Sequence, residues 1–98
     1  MFVGSLECDV LLGDIHSLKE KRALVRPLLA DLGRLHAVSV AEVGHQELHR
    51  RALVGVAVVA ADPKHCIDVL DSCERFVAQR PELDLLSSRR SLRSSDDD

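Results

Sequence analysis

Three cations follow one another at a spacing that places them on one side of a helix. Lys19, Arg22 and Arg26 are separated by three and then four residues, and residues at i, i+3 and i+7 of an α-helix point the same way. Such a row matches the phosphates of a nucleic-acid backbone, because each neutralised phosphate releases counterions. A solvated helix face that binds nothing has the same spacing, so the residues leave both interpretations open.

Lys21 lies in the same segment but at a different angle, within the apolar face of the predicted helix. A cation in the first helical turn is locally unfavourable, because the helix N-terminus carries partial positive charge. Lys21 therefore either contacts an anionic partner or buries its aliphatic stem at the edge of the core.

A polar segment, Gly44 to Arg51 (GHQELHRR), separates two predicted strands and is longer than a tight hairpin requires. His45 and His49 have the i, i+4 spacing of some zinc ligands, but no third ligand is evident, so we predict no metal site. Loops of this kind often carry binding residues. We predict RNA contacts from the side chains suited to base edges or backbone oxygens, which are His45, Gln46, Arg50 and Arg51.

The sequence offers little for catalysis. It has no glycine-rich phosphate loop and no nucleophile beside a base, and Cys8, Cys66 and Cys73 fall on predicted core faces. Glu7 and Asp9 could form a carboxylate pair on the open sheet face, although solvated strand carboxylates are more ordinary. We predict a non-enzymatic protein with no catalytic residue and no cofactor.

Composition sets further bounds. The 98 residues suffice for one domain, and only two are aromatic, so the core must be aliphatic. The net charge of −3 equals the contribution of Asp96, Asp97 and Asp98, so only a local basic patch can steer an anion. Three cysteines without C-x-x-C spacing, and no apolar run of about 18 residues, favour a reducing cytoplasm and no membrane segment.

The elements that must position these residues are four predicted strands and two predicted helices. Met1 to Leu12 alternates as a half-buried strand, and Ser17-x-x-Glu20 forms a capping box that starts a helix at Leu18. The remaining predictions are strands over 38–43 and 52–60, a helix that begins at Asp62-Pro63, and a short edge strand over 82–86. From Ser87 the Ser/Arg/Asp composition predicts a flexible tail, so the domain is predicted over 1–86 and the tail over 87–98.

This βαββαβ order predicts an α+β ferredoxin-like sandwich, a four-stranded antiparallel sheet with two helices on one face. The third strand is apolar on both sides, which leaves either Val54, Val56 and Val58, or Leu53 and Val59, on the open face. Something could cover that face, and a homodimer is the simplest candidate.

Two segments in this order resemble the YlxP family, also called DUF503. They are Ser17-Leu18-Lys19-Glu20-Lys21-Arg22, and Val40-Ala41-Glu42-Val43 with His45-Gln46 and Arg51-Ala52 before a Gly-Val-Ala-Val-Val strand. The resemblance covers about residues 1–86. It implies a ferredoxin-like fold, the bacterial cytoplasm, and genes near those for ribosome-binding factor A and a translation initiation factor. The chain departs from the family pattern at Gly44, where an acidic residue is usual, and at His49, where an aromatic is usual.

The three cations on one side of the helix, the polar loop and the family resemblance together support one leading hypothesis. It is a ribosome-associated, rRNA-binding protein with a role in small-subunit maturation. Phosphates would be contacted by Lys19, Lys21, Arg22, Arg26, Arg50 and Arg51, with local specificity from His45 and Gln46. The competing hypothesis is a protein-interaction module that binds itself or a partner through the open sheet face, with Val56→Asp as its test. A small enzyme acting on a phosphorylated metabolite ranks third.

Overall fold

The six predicted elements are present in the predicted order. The computed structural model describes residues 1–96, which form β1 (Phe2–Leu12), α1 (Leu18–Leu35), β2 (Ser39–Gly44), β3 (Arg51–Ala60), α2 (Pro63–Ala78) and β4 (Leu83–Ser94). The strands make one sheet in the order β2-β3-β1-β4, and every neighbouring pair is antiparallel. Both helices pack on one side of this sheet. The predicted ferredoxin-like sandwich is therefore confirmed.

The core is aliphatic and lies between the helices and one sheet face. Alternate residues of the two central strands point into it, as the period-two pattern of a half-buried strand requires. Its members from β1 and β3 are Leu6, Cys8, Val10, Leu12, Ala52, Val54, Val56 and Val58. The helices contribute Val25, Leu28, Leu32, Cys66, Val69, Leu70, Cys73 and Val77.

Both helices begin where their capping residues predict. The Ser17 hydroxyl accepts a hydrogen bond from the Glu20 N–H at 3.1 Å, and the Glu20 carboxylate accepts one from the His16 N–H at 3.0 Å. In α2 the Asp62 carboxylate accepts from the His65 N–H at 2.9 Å. These contacts satisfy backbone donors that have no partner within the first helical turn.

Strand β4 is longer than its sequence predicts. It pairs with β1 from Leu83 opposite Leu12 to Ser94 opposite Phe2, with a bulge near Asp9. The prediction of a short edge strand and a flexible tail from Ser87 is therefore wrong for residues 87–94. The physical reason is that β1 offers backbone hydrogen-bonding groups along its whole length, which stabilise a polar strand of low intrinsic propensity. Asp97 and Asp98 of the predicted tail lie outside the described residues.

The open sheet face carries the second of the two predicted sets from β3. Leu53 and Val59 point outward, whereas Val54, Val56 and Val58 are buried beneath the helices. Neighbouring β2 has a bulge at Val43, whose side chain lies over Gly55. A Cβ on Gly55 would lie 2.8 Å from Val43 Cγ1, so only glycine admits this packing without a shift.

Neither helix within residues 1–96 is long and apolar enough to cross a membrane.

Candidate nucleic-acid interface

Lys19, Arg22 and Arg26 form an exposed row on α1, which we call the α1 cationic row. Ala23 and Pro27 line a shallow depression together with the three cations. Within the described residues, none of the three makes an ion pair with a carboxylate. Their charge is therefore available to an external anion.

Most other parts of the surface compensate their cations internally. Within residues 1–96, six of the thirteen lysines and arginines pair with carboxylates, namely Lys21, Arg34, Arg51, Lys64, Arg80 and Arg90. Of the seven without such a partner in residues 1–96, three belong to the α1 cationic row. This concentration distinguishes the row from an ordinary solvated helix face, in which opposite charges at i, i+4 commonly alternate.

Lys21 points in the opposite direction, towards the sheet, and is only 2% exposed. Its ammonium group donates to the carbonyl oxygens of His45 at 2.8 Å and Leu48 at 2.7 Å. The same nitrogen lies 2.7 Å from Glu42 Oε2. This third contact is an ion pair whose angles fall outside those of a hydrogen bond. Two carbonyl oxygens and one carboxylate oxygen thus surround the ammonium group.

The prediction that Lys21 contacts an RNA phosphate is therefore wrong. The angular position of Lys21 on the helix, within the apolar face, correctly predicted a side chain at the edge of the core. Glu42 on β2 supplies the opposite charge. Lys21 instead holds residues 45–48 against the first turn of α1. It positions the loop next to the helix that bears the cationic row.

His45 and Arg51 lie on the open sheet face rather than beside the α1 cationic row. Arg51 donates from Nε to Asp9 Oδ1 at 3.1 Å and from Nη2 to Oδ2 at 2.6 Å. His45, which has a φ of 58°, places Nε2 3.5 Å from the same carboxylate. The hydrogen bonds from Arg51 hold the pKa of Asp9 below its usual range. The structure thus separates these two predicted RNA contacts from the helix.

Gln46 and Arg50 are exposed in the loop. Gln46 Nε2 donates to the Glu42 carbonyl oxygen at 3.3 Å, and Arg50 Nε donates to the Gly13 carbonyl oxygen at 2.9 Å. The Arg50 guanidinium is fixed beside the turn that leads into α1, and no described carboxylate pairs with it. Of the eight predicted contacts, these two and the three of the α1 cationic row remain accessible on the helix and loop side.

The model of a family described as a protein of unknown function, DUF503, matches residues 3–90. The chain belongs to the DUF503 family. It is 30% identical over 87 residues to the uncharacterised protein YlxP of Bacillus subtilis (strain 168), covering 89% of this chain and 95% of that protein.

Two solved structures resemble this DUF503 chain in fold. A de novo designed protein with a ferredoxin fold has a TM-score of 0.55 at 10% identity, covering 99% of this chain and 89% of the designed one. A mutant form of a cofactor-independent oxygenase from Streptomyces nogalater has a TM-score of 0.46 at 10% identity, covering 99% of this chain and 95% of the oxygenase. The first similarity supports the ferredoxin-like architecture, which carries no function by itself.

Gly44 is sterically constrained by its neighbour in this DUF503 chain. Gly44 faces Leu53 across the β2–β3 pair, and a Cβ there would lie 2.9 Å from Leu53 Cδ2. An acidic side chain at this position would require Leu53 to move. His49 is exposed in the loop.

Sequence reasoning missed two further cations of the DUF503 chain. Arg89 and Arg93 are exposed on β4 and make no ion pair within residues 1–96. They fell in the segment interpreted as a tail. The alternation of serine and arginine at 87, 89, 91 and 93 was the available signal for a strand with a basic face.

The described residues of the DUF503 chain contain no group of three or more His, Cys, Asp and Glu side chains that could hold a metal ion. Burial raises the pKa of the Cys8 thiol to about 12, and burial also raises the pKa of Cys73. These thiols stay protonated near neutral pH, which disfavours nucleophilic chemistry.

Proposed function

We propose that this DUF503 chain is a non-enzymatic RNA-binding protein of the bacterial cytoplasm that associates with ribosomal RNA, the small subunit in particular, and aids its maturation. The observation that carries the proposal is the α1 cationic row, three exposed cations on one helix without an internal counter-charge in residues 1–96. The ribosomal assignment adds the gene context that the family resemblance implies.

The dimensions of the row suit a phosphate backbone. Seven residues of α-helix extend about 10 Å, so the three cations can follow several phosphates of one strand. If each neutralises one phosphate of a helical RNA, the three together contribute a slope of about −2.7 to the dependence of log K on log salt. Because the net charge of the chain is −3, no global field supplements them, and binding should weaken steeply with salt.

The loop adds contacts at one end of the row. Arg50 supplies a further cation, and Gln46 supplies an amide that can donate to or accept from an unpaired base. The positions of Arg50 and Gln46 depend on the conformation of the loop, which the hydrogen bonds from Lys21 to the His45 and Leu48 carbonyls hold in place. The cations would contact the RNA backbone through charge. Base identity would be recognised only through Gln46.

The test is sedimentation of cell extract that contains the tagged protein, at low and at moderate salt. Co-migration with ribosomal subunits at low salt, with loss at moderate salt, supports the proposal, and absence from these fractions at both salts refutes it. Arg22→Glu is the informative variant and Arg75→Glu its matched control, because Arg75 is also an exposed helical arginine without a described ion pair. Only Arg22→Glu should weaken co-migration.

A second candidate function is a protein-interaction module, which the outward apolar residues of the sheet favour. Val59 is 63% exposed and Val43 is 53% exposed, and Ala41, Gly55 and Ala57 form a groove beside Val43. Apolar side chains on an uncovered sheet can pack against a second sheet, and a second copy of the chain would supply one.

The appropriate variant for this second candidate is Val59→Asp. Val56, which the sequence suggested, is 3% exposed in the core, so an aspartate there would unfold the domain. Light scattering after gel filtration measures the mass of wild type and Val59→Asp. A dimer that Val59→Asp dissociates and Arg22→Glu leaves intact supports the module, whereas a monomeric wild type at high protein concentration refutes self-association.

A further inference from the structure

Strand β4 presents a second row of polar and cationic side chains, on the side of the sheet away from the helices. Its members are Ser87, Arg89, Ser91 and Arg93, which we call the β4 row, and all four are exposed. Their direction follows from the register, because Arg89 lies opposite Glu7 and Arg93 opposite Val3, both outward residues of β1.

Arg90, between Arg89 and Ser91 in β4, points to the opposite side of the sheet, towards the helices. It donates from Nη1 to Asp71 at 2.6 Å and from Nη2 to Glu74 at 3.0 Å, both on α2. Arg90 is therefore consumed in attaching β4 to α2, whereas Arg89 and Arg93 on the open face make no ion pair within residues 1–96.

The open face is less acidic than its residue types indicate. Glu7 and Asp9 both lie on this face, and uncompensated carboxylates there would repel a phosphate backbone. Asp9, however, is already paired with Arg51 through two hydrogen bonds, so its charge is largely compensated. Glu7 remains opposite Arg89, and Asp84 lies exposed opposite Leu11, beyond the Ser87 end of the β4 row.

We propose that the β4 row binds a single-stranded RNA backbone, so that the domain holds two RNA segments, one on each layer. This inference rests on the proposed function for the identity of its ligand. Four residues of β-strand separate the two guanidinium groups by about 13 Å, with a serine hydroxyl between them. Guanidinium and hydroxyl groups are the donors that phosphate oxygens accept from.

The residues between the cations favour RNA over an acidic peptide. Ser87 and Ser91 offer hydroxyls to a phosphate backbone, whereas the apolar groove beside Val43 is lined by β1, β2 and β3 and not by β4. At the Ser87 end the surface is concave, and the depression is lined by Glu7, Asp9, His45, Leu53, Ser87, Ser88 and Arg89. Neither aromatic residue of the chain, Phe2 or Phe76, belongs to this row, so the contact should be with the backbone and tolerant of base sequence.

The experiment titrates a short oligouridylate against three proteins, which are wild type, Arg89→Gln/Arg93→Gln and Arg22→Gln/Arg26→Gln. At low salt the wild type should bind two oligonucleotides per chain and each double variant one. Two phosphate contacts contribute about −1.4 to the salt slope, so the wild-type site that the β4 variant lacks should weaken about sevenfold between 50 and 200 mM salt.

Conservative variants guard against an effect of misfolding. Arg89→Lys/Arg93→Lys keeps both charges and should keep two oligonucleotides per chain, and Arg75→Gln should behave as wild type. Glu7→Gln removes the carboxylate opposite Arg89 and should tighten binding. Unchanged or weaker binding by Glu7→Gln overturns the inference.

The outcomes separate this inference from the proposed function. If the β4 variant still binds as many oligonucleotides as wild type, the β4 row is not a binding surface, and the α1 proposal stands when Arg22→Gln/Arg26→Gln loses binding. If only the β4 variant loses binding, the α1 proposal fails and the β4 row stands. Tighter binding of polyglutamate than of oligouridylate at the β4 row would make an acidic protein segment the occupant and overturn the assignment to RNA.

Discussion

Lys21→Met should destabilise the domain severely, because it removes the counter-charge of Glu42 and a hydrogen bond to each of two loop carbonyls. The methionine side chain preserves most of the volume and leaves the carbonyls of His45 and Leu48, and the carboxylate of Glu42, without their contact. Removing one partner of a buried ion pair costs about 3–5 kcal/mol. The Glu42 side chain retains 21% exposure, so water can reach part of it, and we expect the lower end, about 3 kcal/mol.

The assay is thermal and urea unfolding followed by circular dichroism, with Lys19→Met as the matched control. For a domain of this size each kcal/mol lowers the Tm by about 4–8 °C, so Lys21→Met should lower it by about 12 °C or more. Lys19 is exposed without a described ion pair, so its substitution should change stability by no more than about 0.5 kcal/mol. The two variants should have the opposite ranking in RNA binding. Only Lys19→Met should reduce the magnitude of the salt slope of RNA binding, by about 0.7–0.9.

A double-mutant cycle identifies the buried charge as the cause. Glu42→Gln in the Lys21→Met background removes the uncompensated carboxylate, so it should recover about 1 kcal/mol or more although it destabilises the wild type. Equal stability of Lys21→Met and Lys19→Met, together with a reduced salt slope for Lys21→Met, would refute the structural role and return Lys21 to the RNA interface.

Other contacts lead to three smaller predictions. Ser17→Ala removes the acceptor for the Glu20 N–H and should lower the free energy of unfolding by about 1 kcal/mol, measured in urea, whereas Ser17→Asp should not. The pKa of Asp9 is lower in the folded state than its ordinary value of 3.8, so its pairing stabilises the fold above that pH and is lost as the pH falls through the folded value. In Asp9→Asn the free energy of unfolding should therefore fall less steeply than in wild type as the pH is lowered through the acidic range. An unchanged pH dependence contradicts the pairing. The three cysteines are buried and free, so iodoacetamide at pH 8 should leave the native protein unmodified and label three thiols in denaturant; labelling of the native protein at a comparable rate contradicts their burial.

Local patterns predicted the fold because each element carries its own signal. The alternation of β1, the Ser17 and Asp62 caps and the two-sided apolar character of β3 are properties of short segments. The right-handed crossover rule then allowed few topologies for a βαββαβ order. The one large error was β4, whose Ser/Arg composition has weak strand propensity and is ordered by a partner far away in the chain.

The structure separates the predicted site residues into paired and accessible ones, and no local sequence pattern predicts that separation. The sequence by itself determined that Lys19, Arg22 and Arg26 share one side of a helix, since helical geometry relates residues a few positions apart. Only the tertiary structure decided that Lys21 is satisfied by β2 and the loop, and that Arg51 is paired with Asp9. Which cations remain free for a partner depends on where distant carboxylates and carbonyls come to lie. That depends on strand pairing and register, which join residues tens of positions apart.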